Sequence, residues 1–151
     1  MAKGLVEVFV ELHAADHGWL IGVCGRLTRQ ELWRDMPGGV SVANLLCHIV
    51  EMERFWIDWG LCGESFVRDR QLEFDRRGDL SGEEIARSLT ARRVRTQAKV
   101  LVVSESELKR PREFHGDVLT GAGILGWHLR HLATHRGQAI SHERWLQCER
   151  R

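Results

Sequence analysis

GAGILGWHLRHLATHRGQAISHERWLQC (residues 121–148) contains no proline, and Leu125, Leu129, Leu132, Ala139 and Ile140 recur along it at three-and-four spacing. That period predicts one long amphipathic helix, opened by Thr120 or Gly121 and running to about Cys148. Upstream, the same period recurs three times. Leu5, Phe9, Leu12, Asp16, Trp19, Leu20, Val23 and Leu27 mark a helix over roughly residues 4 to 27. Ser41 is a good N-cap for a second, from Val42 to about Gly60, with Leu45, His48, Ile49, Met52, Phe55, Trp56 and Trp59 on its apolar face. Ser81-Gly82-Glu83-Glu84 has the form of a capping box and opens a third, carrying Ile85, Leu89, Thr96, Val100 and Val103. Val100 to Val103 also reads as a strand, but a lone strand has no partner, so helix is preferred.

The only prolines, Pro37 and Pro111, fall in polar stretches between these segments. Thr28-Arg29-Gln30-Glu31 is another capping box, predicting a short turn of helix around Leu32 and Trp33 that Pro37-Gly38-Gly39 ends. Residues 61 to 80 are charge-rich and aperiodic, and read as a long connection with at most a turn of helix. Four long amphipathic helices in 151 residues make a single all-α domain over residues 1–151. The expected architecture is an up-down four-helix bundle in which the 61–80 segment is the one long crossover connection.

Composition narrows the function. With 22 basic and 21 acidic residues the net charge is +1, and there is neither a basic stripe nor a groove-reading motif, which argues against nucleic acid as a partner. Glu7 and Glu11 interrupt the N-terminal apolar residues and no segment reaches the length of a membrane span, so a cytoplasmic protein is expected, with no membrane partner. Cys24, Cys47, Cys62 and Cys148 are scattered, without a C-x-x-C, and are expected to be reduced.

Eight histidines are the unusual feature. His128, His131, His135 and His142 fall within about 60° of one another on the last helix, beside its leucine face. His131 and His135, four apart, can take two coordination positions of one transition metal. His48 supplies a third if the second helix packs against the last, giving a three-histidine site with an open position. A lone histidine on an apolar face is ordinarily a core residue with one satisfied nitrogen; the combination raises the odds for a metal.

SVANLLCHIVEMERFWI (41–57) and WHLRHLATHRGQAISHERWL (127–146) resemble the two signature regions of the DinB-like superfamily of metal-binding four-helix bundles. The family's mid-helix histidine falls on His48, and its H-x-x-x-H-R-G-Q motif on His131 and His135 with Arg136-Gly137-Gln138 following. The approach LTRQELWRDMPGGVSVANLL is also similar. The resemblance implies a divalent metal, usually zinc or nickel, held by His48, His131 and His135 with solvent completing the shell. It further implies a homodimer, and relatives that are thiol-dependent transferases or isomerases using bacillithiol or mycothiol as cosubstrate. A metal lowers a bound thiol's pKa, and the thiolate is the nucleophile, so such chemistry suits an open position. Imidazole ligation alone does not choose the metal.

Other residues border this expectation. Asp16, an acid in the first helix's apolar stripe, is either an acceptor for a ligand histidine's free N–H or an acid at the wet end of the bundle. His13 and His17 lie at the edge of that stripe and are expected to be solvated. Arg92 shares the third helix's stripe, where it either meets an anionic group of a cosubstrate or snorkels to water. His128 is a candidate border of the metal cavity and His142 a surface residue. Trp19, Trp56, Trp59, Trp127 and Trp145 are expected in core or subunit contacts, and no general base or other catalytic residue is identified. Two functions follow: a metal- and thiol-dependent transferase or isomerase acting on small electrophiles, or a non-catalytic metal-binding stress-response or accessory protein of the same structure.

Overall fold

The structure, a computed structural model, describes residues 4–36, 39–75 and 80–150. Helix α1 (Leu5–Arg26) is followed by short α2 (Arg29–Leu32), then α3 (Val42–Glu53), which continues as a π-helical segment (Arg54–Leu61). Short α4 (Arg70–Asp75), long α5 (Gly82–Leu101) and short α6 (Glu105–Lys109) come next. A hairpin of β1 (Pro111–Phe114) and β2 (Asp117–Thr120) leads into α7 (Gly121–Glu149). Pro37 and Gly38, expected to end the second short helix, lie outside the described residues.

Side-chain caps fix where the helices start. Thr28, Ser41, Ser81 and Thr120 each accept a hydrogen bond from the backbone N–H three residues on, at 3.3, 3.1, 3.2 and 3.1 Å. Glu31 and Glu84 return the bond to the N–H of Thr28 and Ser81, completing both capping boxes. Each cap contributes about 0.5–2 kcal/mol.

Pairwise contacts give the topology. Gln97, late in α5, donates to the carbonyl of Val10, early in α1, while Gly82 packs on Cys24 at the other end, so these helices are antiparallel. Along α1 and α7 the pairs Phe9–His128, Asp16–Arg136 and Arg26–Glu143 advance together, so that pair is parallel. Val40 meets His142 and Leu61 meets Gly121, which makes α3 and α7 antiparallel. Glu53 meets Thr96 and Asp58 meets Lys99, so α3 and α5 run the same way. The result is an all-α four-helix bundle in which the connection between the parallel helices α3 and α5 travels its length. That connection is the long crossover, and α4 is its turn of helix.

Two apolar clusters make the core. One gathers Leu20, Val23, Leu32, Leu46, Ile49, Leu89 and Leu132; the other gathers Phe9, Ile57, Val100, Phe114, Ile124 and Leu125. Each fully buried large side chain contributes about 1.5–3 kcal/mol. Between the clusters lie buried polar groups: His13, His17, Glu53, Arg92, Thr96 and His128.

Three features depart from the sequence reading. The buried face of α1 is Phe9, His13, Asp16, His17, Leu20, Val23 and Cys24, whereas Leu5, Leu12 and Trp19 are about half exposed. Because α1 is wedged between α5 and α7, its edge positions are covered, and the seven-residue Leu5-Leu12-Trp19 row points outward. The second helix does not keep its α register to Gly60: the π-helical segment, with more residues per turn, turns Ile57, Asp58 and Leu61 inward and leaves Trp59 exposed. Finally, residues 111–120 form a hairpin where no strand was expected. His115 and Gly116 both have positive φ, 54° and 89°, the two-residue turn that matches strand twist. The hairpin delivers Phe114 into a stack with Phe55, Trp56 and Trp59, each ring centroid 5.0 Å away.

At Gly82 a β-carbon would come within 2.5 Å of the Cys24 carbonyl oxygen, whereas at Gly126, exposed in the second turn of α7, it would meet nothing within 4 Å. Gly82→Ala should therefore lower unfolding free energy by about 1–3 kcal/mol. Gly126→Ala should raise it by about 0.5–1 kcal/mol, both read from urea unfolding.

Candidate metal centre

The antiparallel contact of α3 with α7 sets His48 opposite His131 and His135, which stand one turn apart. Nε2 of His48 lies 3.3 Å from Nε2 of His131, and Nε2 of His131 lies 3.0 Å from Nε2 of His135. Zinc-to-nitrogen bonds of 2.0–2.1 Å in a tetrahedron separate ligand nitrogens by about 3.3 Å, so this spacing suits one ion. The three residues are a group that could hold a metal, with all three ligand atoms within 4.8 Å of one another.

The remaining ring nitrogens fix the tautomers. Nδ1 of His48 is 2.7 Å from Glu73 Oε2, and Nδ1 of His135 is 2.6 Å from Gln138 Oε1. An ionised carboxylate and an amide oxygen only accept, so each Nδ1 carries the proton and each Nε2 keeps its lone pair for the common point. Glu73 is itself anchored. Arg68 donates to both of its oxygens, at 2.7 and 3.0 Å. The Asn44 amide, one turn before His48, donates to the carbonyls of Glu73 and Phe74 at 3.4 and 3.2 Å. That anchor ties the crossover connection to α3 and places the carboxylate behind His48.

Burial lowers the proton affinity of all three imidazoles, and the neighbouring histidines lower it further for His48 and His131. His131 is pushed down to about 3. Glu73 responds the other way: burial alone would raise it, but bonds from Arg68 and His48 hold it below the ordinary carboxylate value. Near neutral pH the set is three neutral imidazoles backed by one carboxylate, the protonation states ligation requires. His48 and His135 line a cavity of about 760 Å³ with Phe74, Arg70, Thr134 and His142, so the point they share has open space beside it.

The sequence model of the DinB superfamily matches residues 12–139, which span α1 through most of α7. The chain belongs to the DinB superfamily. Its fold is similar to that of a DinB-like protein from Bacillus cereus ATCC 10987, with a TM-score of 0.76 and 17% identity over 93% of this chain and 92% of that one. It is also similar to a conserved protein from Enterococcus faecalis, with a TM-score of 0.75 and 15% identity over 95% of this chain and 97% of that one. No curated protein matches the chain.

In this DinB-superfamily chain the residues expected around the site part company. His48, His131 and His135 are brought together. Asp16 instead accepts from Arg136, at 2.5 Å, and touches no candidate ligand, because α1 meets α7 on a different face from α3. Arg92 neither lines the cavity nor snorkels: it is 6% exposed and donates to both oxygens of Asp58 at 2.7 Å. His128, one turn before His131, points into the interior toward His13 and Phe9, away from the cavity. His13 and His17, expected in solvent, are fully buried against Glu53. His142 is buried as well, its ring nitrogens 3.1 Å from the Gln138 carbonyl and 3.0 Å from that of Val40.

Two groups escaped the sequence reading. Glu73 sits in the aperiodic stretch, where nothing in the spacing points to His48. Glu53 carried a signal, since it falls four residues after Ile49 on the apolar face of α3. None of the four cysteines is in a disulfide, and no described helix is long and apolar enough to cross a membrane.

These protonation states make stability depend on pH. The folded values of His13, His48, His128, His131 and His135 lie below 6.5, so the unfolded chain binds more protons as pH falls through 6.5. Glu53 and Glu73 lie below 4.5 and act in the same direction lower down. The metal-free protein should hold its stability above about pH 6.5 and lose it progressively toward pH 4. Chemical unfolding at stepped pH checks this; a midpoint that stays flat or rises on acidification contradicts the assignment.

Proposed function

We propose that the chain binds one divalent transition metal, zinc or nickel, through Nε2 of His48, His131 and His135, and uses it for thiol-dependent transfer or isomerisation of small electrophiles. The convergence of three neutral Nε2 atoms beside an open cavity carries this reading. When bound, the ion would supply a position that lowers the pKa of a coordinated thiol and so raises its thiolate fraction. The chain's own residues supply the rest. Glu73 and Gln138 hold two of the imidazoles in place, and Phe74 gives an apolar wall. Arg70 at the cavity lining suits a carboxylate on the thiol or on the electrophile.

Dialysed against zinc or nickel, the folded protein should take up one equivalent at this site, and His135→Ala should fail to take up that equivalent, read by elemental analysis before and after dialysis. Glu73→Gln should keep the site but weaken affinity about 10–100-fold, as loss of a ligand's supporting carboxylate does. The activity is tested by assaying conjugation of an electrophile with bacillithiol, mycothiol and glutathione. Turnover with one of them, lost in His135→Ala, supports the enzyme; stoichiometric metal without turnover leaves a non-catalytic metal-binding accessory protein.

We also propose a homodimer. The outward row of Leu5, Val8, Leu12 and Trp19 on α1, 37–51% exposed, is the apolar surface that a second copy would cover. Light scattering should give about twice the 17.4 kDa of one chain, and a 17 kDa particle contradicts the pairing.

A further inference from the structure

The polar layer between the two apolar clusters holds more imidazole than its hydrogen bonds can use. His13, on α1, and His128, on α7, are 0% and 1% exposed, and both ring nitrogens of each lack a hydrogen-bond partner. Nδ1 of His17 is likewise unpartnered. Buried ring nitrogens are ordinarily paired, so this concentration in one place calls for a ligand. Glu53, 0% exposed at the end of α3, stands among them. Its two oxygens have different surroundings. Oε2 accepts from the Thr96 hydroxyl at 2.6 Å and lies 3.5 Å from Arg92 Nε. Oε1 faces His17 Nε2, with which it makes a short contact, and lies 3.2 Å from His13 Nε2 without forming a hydrogen bond.

Charge points the same way. Arg92 gives its two terminal nitrogens to Asp58 and only a longer approach to Glu53, so one guanidinium is shared between two buried carboxylates. Lys99 helps Asp58 from the solvent side but does not reach Glu53. An anionic oxygen and two unpartnered imidazoles from three helices, with ligand atoms mutually within 4.8 Å, form a donor set for a cation.

We propose that the bundle carries a second, fully interior metal site in which His13, Glu53 and His128 bind a first-row divalent cation. His17 is a positioning residue that holds the carboxylate through Oε1, and Thr96 holds it through Oε2. Nitrogen and carboxylate donors together suit zinc, iron or manganese. This site is distinct from the His48–His131–His135 centre: it shares no ligand with it and opens to no described cavity. Because its ligands are buried, the ion enters as the chain folds, not by soaking into the folded protein.

The test uses tag-free protein with the cavity site removed, His131→Ala/His135→Ala, both partly buried positions outside the polar layer. It is unfolded, stripped of metal, refolded with zinc and freed of excess metal. One equivalent of zinc is expected from this variant and two from the wild type, with an anomalous-scattering peak between His13, Glu53 and His128 in crystals of the variant. Adding His128→Leu should bring zinc to near zero. A cooperatively folded double variant that retains no zinc overturns the proposal, as does retained zinc whose peak lies elsewhere. Because the first comparison needs no substitution in the core, a folding failure of His128→Leu leaves both outcomes readable. Loss of the cavity site in the wild type would lower the count by the equivalent that dialysis supplies, so failure of the two sites is told apart.

Discussion

The antiparallel contact between α3 and α7 is the constraint on which the rest depends. A helix offers two ligands to one ion at four-residue spacing, but a third must come from another chain segment. His48 meets His131 and His135 only because α3 descends beside the ascending α7. Because α5 also runs against α7, that pairing leaves α3 and α5 parallel, and parallel helices need a connection as long as the bundle. The crossover is therefore more than a linker. Tied back by Asn44 to the carbonyls of Glu73 and Phe74, it supplies the carboxylate that fixes the tautomer of His48.

A cost accompanies this arrangement. The Nε2 lone pairs of His48 and His135 both face His131 Nε2 in partly buried surroundings, where burial lowers the proton affinity of all three rings. The site is held by structure around it: apolar packing of Leu132 and Ala139 on the same helix, and hydrogen bonds at the far ring nitrogens. Deeper in, His17 and Thr96 hold the Glu53 carboxylate between His13 and His128. The interior group separates the two apolar clusters of the core.

What the sequence revealed follows from range. Periodicity and caps are local, so the four helices and their starts at Ser41, Ser81 and Thr120 were legible, as was the His131–His135 pair. His48 was legible through its motif. Glu73 was not, because its partner is chosen by the path of an aperiodic segment and not by spacing. The buried face of α1 was misread for a related reason: Leu5, Leu12 and Trp19 have core-like composition, and only the wedging of α1 between two helices decides that histidines go inside and these residues outside. The hairpin hid because its strands are four residues long and its turn is His115-Gly116, not an Asn-Gly pair. The π-helical register of residues 54–61 leaves no compositional trace at all.

The most direct measurement is an anomalous difference map from crystals of the folded protein soaked in nickel. The account predicts one strong peak about 2.0–2.1 Å from Nε2 of each of His48, His131 and His135, with Glu73 and Gln138 still bonded behind them. Density that stays blank at that point, or imidazoles swung away from one another, would contradict it.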